Sequence, residues 1–260
     1  MTLTLDAVGA PRVGLLYWLS GFRTMLRWQL ASLRLWAPTA AAVEALSGIG
    51  MVMGFGLLVP HLTIRAALFL TTGSAVVSMV LIGLIMGTQL VAQQKNERTY
   101  EYLLSLPVPR SAAALSWYAV VVIVGVPGAL ATLAVGAWRF GLSFSASPSI
   151  VAAVLITIFT ATMLGYAVAH AISKPMVTII LSQVFIFLAF GFAPINFPPD
   201  QMPHWLAEAN RWLPFLPMAN VVRSGLTHGL ATHVAQSYCV LTAWAAGSSG
   251  LAFLALGRRR

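Results

Sequence analysis

The sequence has 260 residues, of which 59% are apolar and 8% are charged, and its mean hydropathy is +0.85. Soluble domains carry about 25% charged residues, so this composition excludes an ordinary soluble domain and predicts an integral membrane protein. The net charge of +9 does not indicate nucleic-acid binding, because the basic residues are scattered between apolar runs, where they orient a chain in the membrane and meet anionic lipid.

The first predicted element is an amphipathic helix over residues 13–34. Leu15, Phe22 and Leu33 fall on one side of this helix, and its arginines fall on the other side. Such a helix lies in the membrane interface with its basic side toward headgroups or cytosol. We expect no removable signal peptide before it, because the start of the chain lacks a short apolar core with a small-residue cleavage site.

Six apolar runs follow that are long enough to cross a bilayer, which takes about 20 residues each. The runs are 38–59, 66–91, 112–137, 150–171, 176–195 and 234–256. The sequence therefore predicts an all-α membrane protein with a single transmembrane domain over residues 1–260. The pairs Gly50/Gly54 and Gly83/Gly87 have the spacing that allows helices to approach closely in lipid.

The placement of lysine and arginine predicts the orientation of these spans. With both termini in the cytosol, four of the fifteen basic residues lie outside and the other eleven lie inside. The four outer residues are Arg65, Arg139, Arg211 and Arg223. This bias toward the inner side predicts a multi-pass protein of the cell (plasma) membrane with both termini cytoplasmic.

A charged segment, NERTYEYLLSLPVPR at residues 96–110, joins the second and third spans on the inner side. Asn96 is a good N-cap, and the prolines at its end predict a helix over residues 96–106. Glu97 and Glu101 share one face and repel each other, so Arg23 or Arg27 or a basic groove on another protein must neutralise them. The residues alone leave both a lipid-surface helix and a docking element open.

The outer stretch 197–229 is too polar and rich in proline to cross. It also carries large apolar residues, such as Trp205 and Trp212, that do not suit a solvated loop. We expect it to form a re-entrant pair of short helices that dips into the outer leaflet before the last span.

Two quoted stretches carry a resemblance to a known family. Residues 97–118, ERTYEYLLSLPVPRSAAALSWY, and residues 213–229, LPFLPMANVVRSGLTHG, resemble the permease subunits of ATP-binding-cassette (ABC) exporters of the ABC-2 type. The resemblance implies that the helix 96–106 is a coupling helix that fits a groove on an ATPase. The coupling residues it implies are Glu97, Arg98, Tyr100, Glu101 and Leu104. It also implies that Arg223 anchors the outer re-entrant segment.

The resemblance further implies partners and a substrate class. No G-x-x-x-x-G-K-[ST] phosphate loop occurs in the sequence, so ATP and magnesium would bind to separate ATPase subunits and this chain would be no enzyme. Six spans would form half of the membrane part, which implies a second permease copy or a homologous permease, working by alternating access. Because the spans carry few charges, we expect an amphipathic or hydrophobic substrate of the drug or lipid class. The alternative is a passive channel or a non-transporting membrane scaffold.

Three residues are candidates for the path or gate. Glu44 lies in the first span, where a carboxylate is costly and therefore a functional candidate, although pairing with Arg34 near the interface would also explain it. Phe185 and Phe192 belong to the aromatic fifth span, which lines the dimer interface in the family, but ordinary packing or lipid contact is the better explanation for them.

Two other patterns resemble catalytic or metal-binding motifs but are better explained without such a site. Residues 247–250, GSSG, match the G-x-S-G pattern of rhomboid-type intramembrane proteases, but no histidine follows His233, so helix packing is the better interpretation. His228 and His233 lack an acidic neighbour and Cys239 is the single cysteine, so we expect no metal site.

Overall fold

The computed structural model describes residues 14–59, 61–97, 102 and 107–257, without the side chains of Leu90 and of residues 256–257. Over these ranges the chain forms nine α-helices, one 3₁₀ turn at Pro199–Gln201 and no strand. The helices are α1 (Leu15–Leu33), α2 (Ala37–Leu58), α3 (Ile64–Asn96), α4 (Arg110–Phe140), α5 (Ser149–Ala171), α6 (Pro175–Phe192), α7 (His204–Trp212), α8 (Phe215–Leu226) and α9 (Val234–Gly257). The predicted all-α fold is confirmed for this part of the chain.

Six of these helices, α2 to α6 and α9, are long and apolar enough to cross a membrane, as the sequence predicts. The helix α6 ends three residues before the predicted limit, at Phe192. Ala193 is extended because it precedes Pro194, whose ring disfavours the helical conformation of the residue before it. The apolar run alone gives no sign of this stop.

The helix α3 is the centre of the bundle. It packs on α2, α4, α5, α6 and α8, and its most apolar stretch is 83% buried, against 17% for α6. A Cβ on Gly83 would lie 2.7 Å from the Cβ of Ala161, so this glycine lets α3 and α5 approach closely. The helix α6 lies at the edge of the bundle and exposes most of its apolar surface.

Gly87 packs on α5 as Gly83 does, since a Cβ on it would lie 2.8 Å from Thr162 O, but the predicted pair in α2 behaves differently. Gly50 and Gly54 have no atom within 4 Å of where a Cβ would stand, and neither have the two glycines of the GSSG stretch. The expectation of a close helix contact is therefore wrong for Gly50 and Gly54 within this chain, whereas Ser248 of the GSSG stretch is buried, at 3% exposed. The helix α2 uses Gly48 instead, which faces Thr132 of α4. Spacing alone gave the wrong face of α2.

The helix α1 is attached to the start of α4. The Tyr17 hydroxyl donates to the carbonyl oxygen of Pro107, and Trp18 Nε1 donates to Ser111 Oγ at 2.9 Å. A Cβ on Gly21 would lie 3.2 Å from the Cδ of Pro109, so the two backbones run close together. The position of α1 in the membrane interface stays a prediction.

Two short helices, α7 and α8, occupy the predicted outer segment. Every residue of α8 except Ser224 is buried, because it lies against α3, α5 and α9. The loop before α5 closes over its end, where Ser147 N donates to Gly225 O at 2.9 Å. In α7, by contrast, Trp205 and Trp212 are 71% and 66% exposed. The depth of this hairpin in the membrane stays a prediction.

Candidate functional site

The side chain of Arg223 is completely buried where α8 meets the first turns of α3. Its Nη2 donates to Ile195 O at 2.7 Å, and its Nε donates to Thr72 Oγ1 at 3.3 Å. Its guanidinium carbon lies 4.1 Å from the centre of the Phe69 ring, a distance at which a cation is attracted by the ring face. One arginine therefore joins α8 with α3 and with the segment after α6.

No carboxylate in the described part of the chain pairs with this buried charge. Among the described residues the one ion pair is between Arg211 and Glu208, at 2.7 Å on the surface of α7. Burial lowers the pKa of Arg223 to about 9, so the guanidinium still carries its charge at neutral pH. The oxygens of Ile195 and Thr72, the Asn220 Oδ1 that accepts from Nη1 at 3.5 Å, and the ring of Phe69 are thus the groups that stabilise it.

The surroundings of Arg223 are tightly assembled. A Cβ on Gly73 would lie 2.3 Å from Ile195 O, so α3 and the segment after α6 are in direct contact. Asn220, one turn before Arg223, donates from Nδ2 to Ser237 Oγ of α9 at 3.4 Å. This cluster, which we call the arginine hub, connects four parts of the chain: α3, α8, α9 and the segment at Ile195.

Glu44 is 4% exposed and points from α2 toward α4. A Cβ on Gly128 would lie 2.4 Å from Glu44 Oε2, so the glycine makes the room that the carboxyl occupies. Neither carboxyl oxygen has a hydrogen-bond partner of normal geometry, although the Ser78 hydroxyl of α3 is within reach. Glu44 and Arg34 form no ion pair, because the surface pair on α7 is the one ion pair in the described ranges.

Three buried polar side chains lie along one face of α3, and the last of them, Ser78, is near Glu44 of α2. Thr71, Ser74 and Ser78 stand three and four residues apart, so they share that face, and all three are fully buried. Thr71 Oγ1 and Ser74 Oγ have no partner. We call Glu44 with these three residues the polar seam. The sequence analysis missed its α3 members, although their helical spacing within an apolar run was a usable signal.

The two aromatic candidates of α6 lie apart from the polar seam. Phe185 packs against the core cluster of α3, α5 and α8, and Phe192 is 45% exposed beside Phe187. No contact in the described part of the chain joins either of them to Glu44. The structure therefore does not bring the three predicted path residues into one site within a single chain.

The structure describes only part of the predicted coupling segment. Glu97 is exposed and accepts from Gln93 Nε2 at 2.7 Å, and Tyr102 is helical. The other predicted coupling residues, Arg98, Tyr100, Glu101 and Leu104, lie outside the described residues. Glu97 forms no ion pair with the described arginines of α1, so that proposed neutralisation does not occur for this acid.

The segment is attached to the bundle where it leaves α3. Lys95 Nζ donates to Ile172 O at 2.7 Å and to Ala169 O, the free carbonyls at the end of α5. A cation at this position also suits the negative end of the α5 helix dipole. With the contacts between α1 and Pro107, both ends of the segment are therefore held by other helices.

These features define a multi-pass membrane protein with a buried arginine hub near the start of α3 and, after the end of α3, a segment that other helices hold at both ends. A family model described as ABC-2 family transporter protein matches residues 64–254, which include α3 to α8 and most of α9. The chain therefore belongs to the ABC-2 family of transporter proteins, and the resemblance seen in the sequence is confirmed. A comparison with curated proteins found no match.

Proposed function

We propose that this protein is the membrane permease subunit of an ABC exporter, driven by separate ATPase subunits that hold ATP and magnesium. The match of the ABC-2 family model over residues 64–254 is the observation that supports this proposal most strongly. The six apolar helices supply a membrane part, and the sequence holds no phosphate loop. The substrate is amphipathic or hydrophobic, of the drug or lipid class, because few charges lie in the spans.

The ATPase docks on the segment between α3 and α4, through Glu97, Arg98, Tyr100, Glu101 and Leu104. Support comes from how the segment is held, since Lys95 attaches one end to α5 and Tyr17 attaches the other end to α1. When ATP closes the ATPase pair, movement of the segment is passed directly to these helices. The path then alternates between inward-open and outward-open states.

A second permease copy, or a homologous permease, packs against α6. This helix has the least buried span, and its aromatic face includes Phe187 at 66% exposed. Phe185 and Phe192 would then lie at or near the path between the two copies, and Glu44 would act as a gate behind it. The arginine hub holds the outer segment in place while the spans move.

The protein lies in the cell membrane with both termini in the cytosol. The arginines of α1 are all exposed, which suits a helix that faces headgroups or cytosol. The segment around Glu97 then lies in the cytosol, where an ATPase can reach it.

The decisive experiment is a mild-detergent pull-down of the tagged protein from its own membranes, with partners identified by mass. We expect an ATPase with a phosphate loop to co-purify with the wild type. The variant Glu97→Lys with Glu101→Lys should lose that ATPase, because a basic groove that accepts two acids would repel two lysines. The control, Glu208→Lys, changes an acid on the other side of the protein and should retain the ATPase.

Two results would contradict the proposal. If no ATPase co-purifies in several detergents, the chain works without an ATP-driven partner, as a passive channel or scaffold would. If the ATPase stays bound to the double variant, it docks elsewhere than on this segment. Gel filtration of each variant verifies that the permease itself remains folded.

A further inference from the structure

An aromatic cavity of about 690 Å³ lies between α1, α3 and α4, at the end of the bundle where α3 leads into the segment after Glu97. Four large rings line it, from Trp28, Trp36, Tyr102 and Trp117. We call it the inner cavity. Its volume is within the range of about 300–1,000 Å³ that is typical of sites for drug-sized ligands.

Two buried polar atoms of the inner cavity have no partner. Gln29 is 6% exposed, and its Oε1 accepts no hydrogen bond. Trp117 is 5% exposed, and its Nε1 donates none. Buried polar groups are nearly always satisfied, so an unpaired acceptor and an unpaired donor in one cavity indicate a polar ligand. A molecule with an N–H group and an oxygen would complete both.

The charges around the inner cavity favour a cation. Among its described lining residues no lysine, arginine or histidine occurs, and Glu97 is the one charged side chain. The arginines of α1 do not line it, although they belong to the same helix as Trp28 and Gln29. The faces of tryptophan and tyrosine rings attract cations, and they do so most strongly where water is excluded.

We propose that the inner cavity binds an amphipathic organic cation, a molecule with a flat aromatic body and a positively charged nitrogen. The rings of Trp28, Trp36 and Tyr102 contact the aromatic body, Gln29 accepts from its N–H group, and Glu97 balances its charge. This inference rests on the proposed function and makes its substrate class narrower, because the cavity opens on the side where the substrate of an exporter is taken up.

The test measures binding to the full chain in lipid nanodiscs without any ATPase. The probe is rhodamine 6G, a cationic dye with N–H groups, followed by fluorescence anisotropy. Fluorescein, an anionic dye with a similar ring system, is the matched control ligand. We expect saturable binding of rhodamine 6G above the background of empty nanodiscs, and no such binding of fluorescein.

Variants locate the site. Trp28→Ala should raise the dissociation constant by about 3- to 30-fold, the range for one lost cation–π contact. Glu97→Gln should raise it by about 2- to 5-fold, since Glu97 is exposed and its charge is screened. The controls are Trp138→Ala, a tryptophan 79% exposed at the far end of α4, and Glu208→Gln, and both should bind as the wild type does.

The proposal is overturned if fluorescein binds as tightly as rhodamine 6G, or if Trp28→Ala and Glu97→Gln bind the dye as the controls do. Glu97→Gln changes an exposed side chain without altering its shape, so it remains informative even if Trp28→Ala fails to fold. Because no ATPase is present, failure of dye binding leaves the pull-down result intact. Conversely, if no ATPase co-purifies with the wild type but the dye binds as expected, only the proposed function is contradicted.

Discussion

Replacement of Arg223 by methionine is the sharpest test of how α8, α3 and the segment after α6 are held together. Methionine is shorter but apolar and nearly as large, so the change removes the charge and the hydrogen bonds while it keeps most of the volume. If the arginine hub stabilises the fold, Arg223→Met should lower the free energy of unfolding, although the variant no longer has to bury a charge.

The structure gives the magnitude. Loss of the donor at 2.7 Å leaves Ile195 O buried and unpaired, at a cost of about 1–3 kcal/mol. Loss of the ring contact with Phe69 at 4.1 Å costs about 1–2 kcal/mol more. The relief of a buried charge offsets part of this, so we expect a net loss of about 2–4 kcal/mol. At about 2–4 °C per kcal/mol, the Tm should fall by about 4–16 °C.

The assay is thermal unfolding in detergent, followed by tryptophan fluorescence. Thr72→Val removes only the weaker acceptor at 3.3 Å and should cost about 0.5–1.5 kcal/mol. Arg211→Met removes an arginine of α7 whose side chain is 40% exposed, and it should change stability by less than about 1 kcal/mol. If Arg223→Met lowers the Tm no more than Arg211→Met does, the hub does not stabilise the fold and the reasoning fails.

Two further predictions concern the polar seam. Gly128→Ala should lower the free energy of unfolding by about 1–3 kcal/mol in the same melting assay, because its Cβ would meet the Glu44 carboxyl at 2.4 Å. Gly54→Ala, with no atom within 4 Å, should be neutral or stabilising by up to about 1 kcal/mol, and equal losses at both positions would contradict the packing. Glu44→Gln keeps the shape of the side chain, so we expect it to leave the Tm nearly unchanged but to lower export of a labelled substrate. Unchanged export would show that Glu44 is structural.

Hydropathy was sufficient to find the six spans, because an apolar run of about 20 residues has few alternatives to a membrane helix. The ends of the helices depend on weaker local effects. The helix α6 stops at Phe192 because of Pro194, and α3 continues to Asn96 although its last residues are polar. Which glycines pack also depends on the rotation of each helix, which its neighbours determine, and this is why Gly48 rather than Gly50 faces α4.

The candidate site shows a similar division. The sequence singled out Arg223 through its place in a family pattern and Glu44 through its charge within an apolar run. The contacts of these two residues could not be predicted from the sequence, because a partner such as Thr72 is 151 residues away from Arg223 along the chain. The unpaired Gln29 and Trp117 of the inner cavity were likewise out of reach, since they become neighbours only when α1 packs on α4.

The attachment of α1 to α4 also has a consequence for how the chain assembles. Tyr17 and its acceptor Pro107 are 90 residues apart, and Trp18 and Ser111 are 93 apart, so these hydrogen bonds close a loop that contains α2 and α3. During synthesis, α1 emerges long before its partner exists. Its packing can be completed only after α2 and α3 have been made and the start of α4 has followed. The first helix to be made therefore completes these contacts only after the fourth helix has begun.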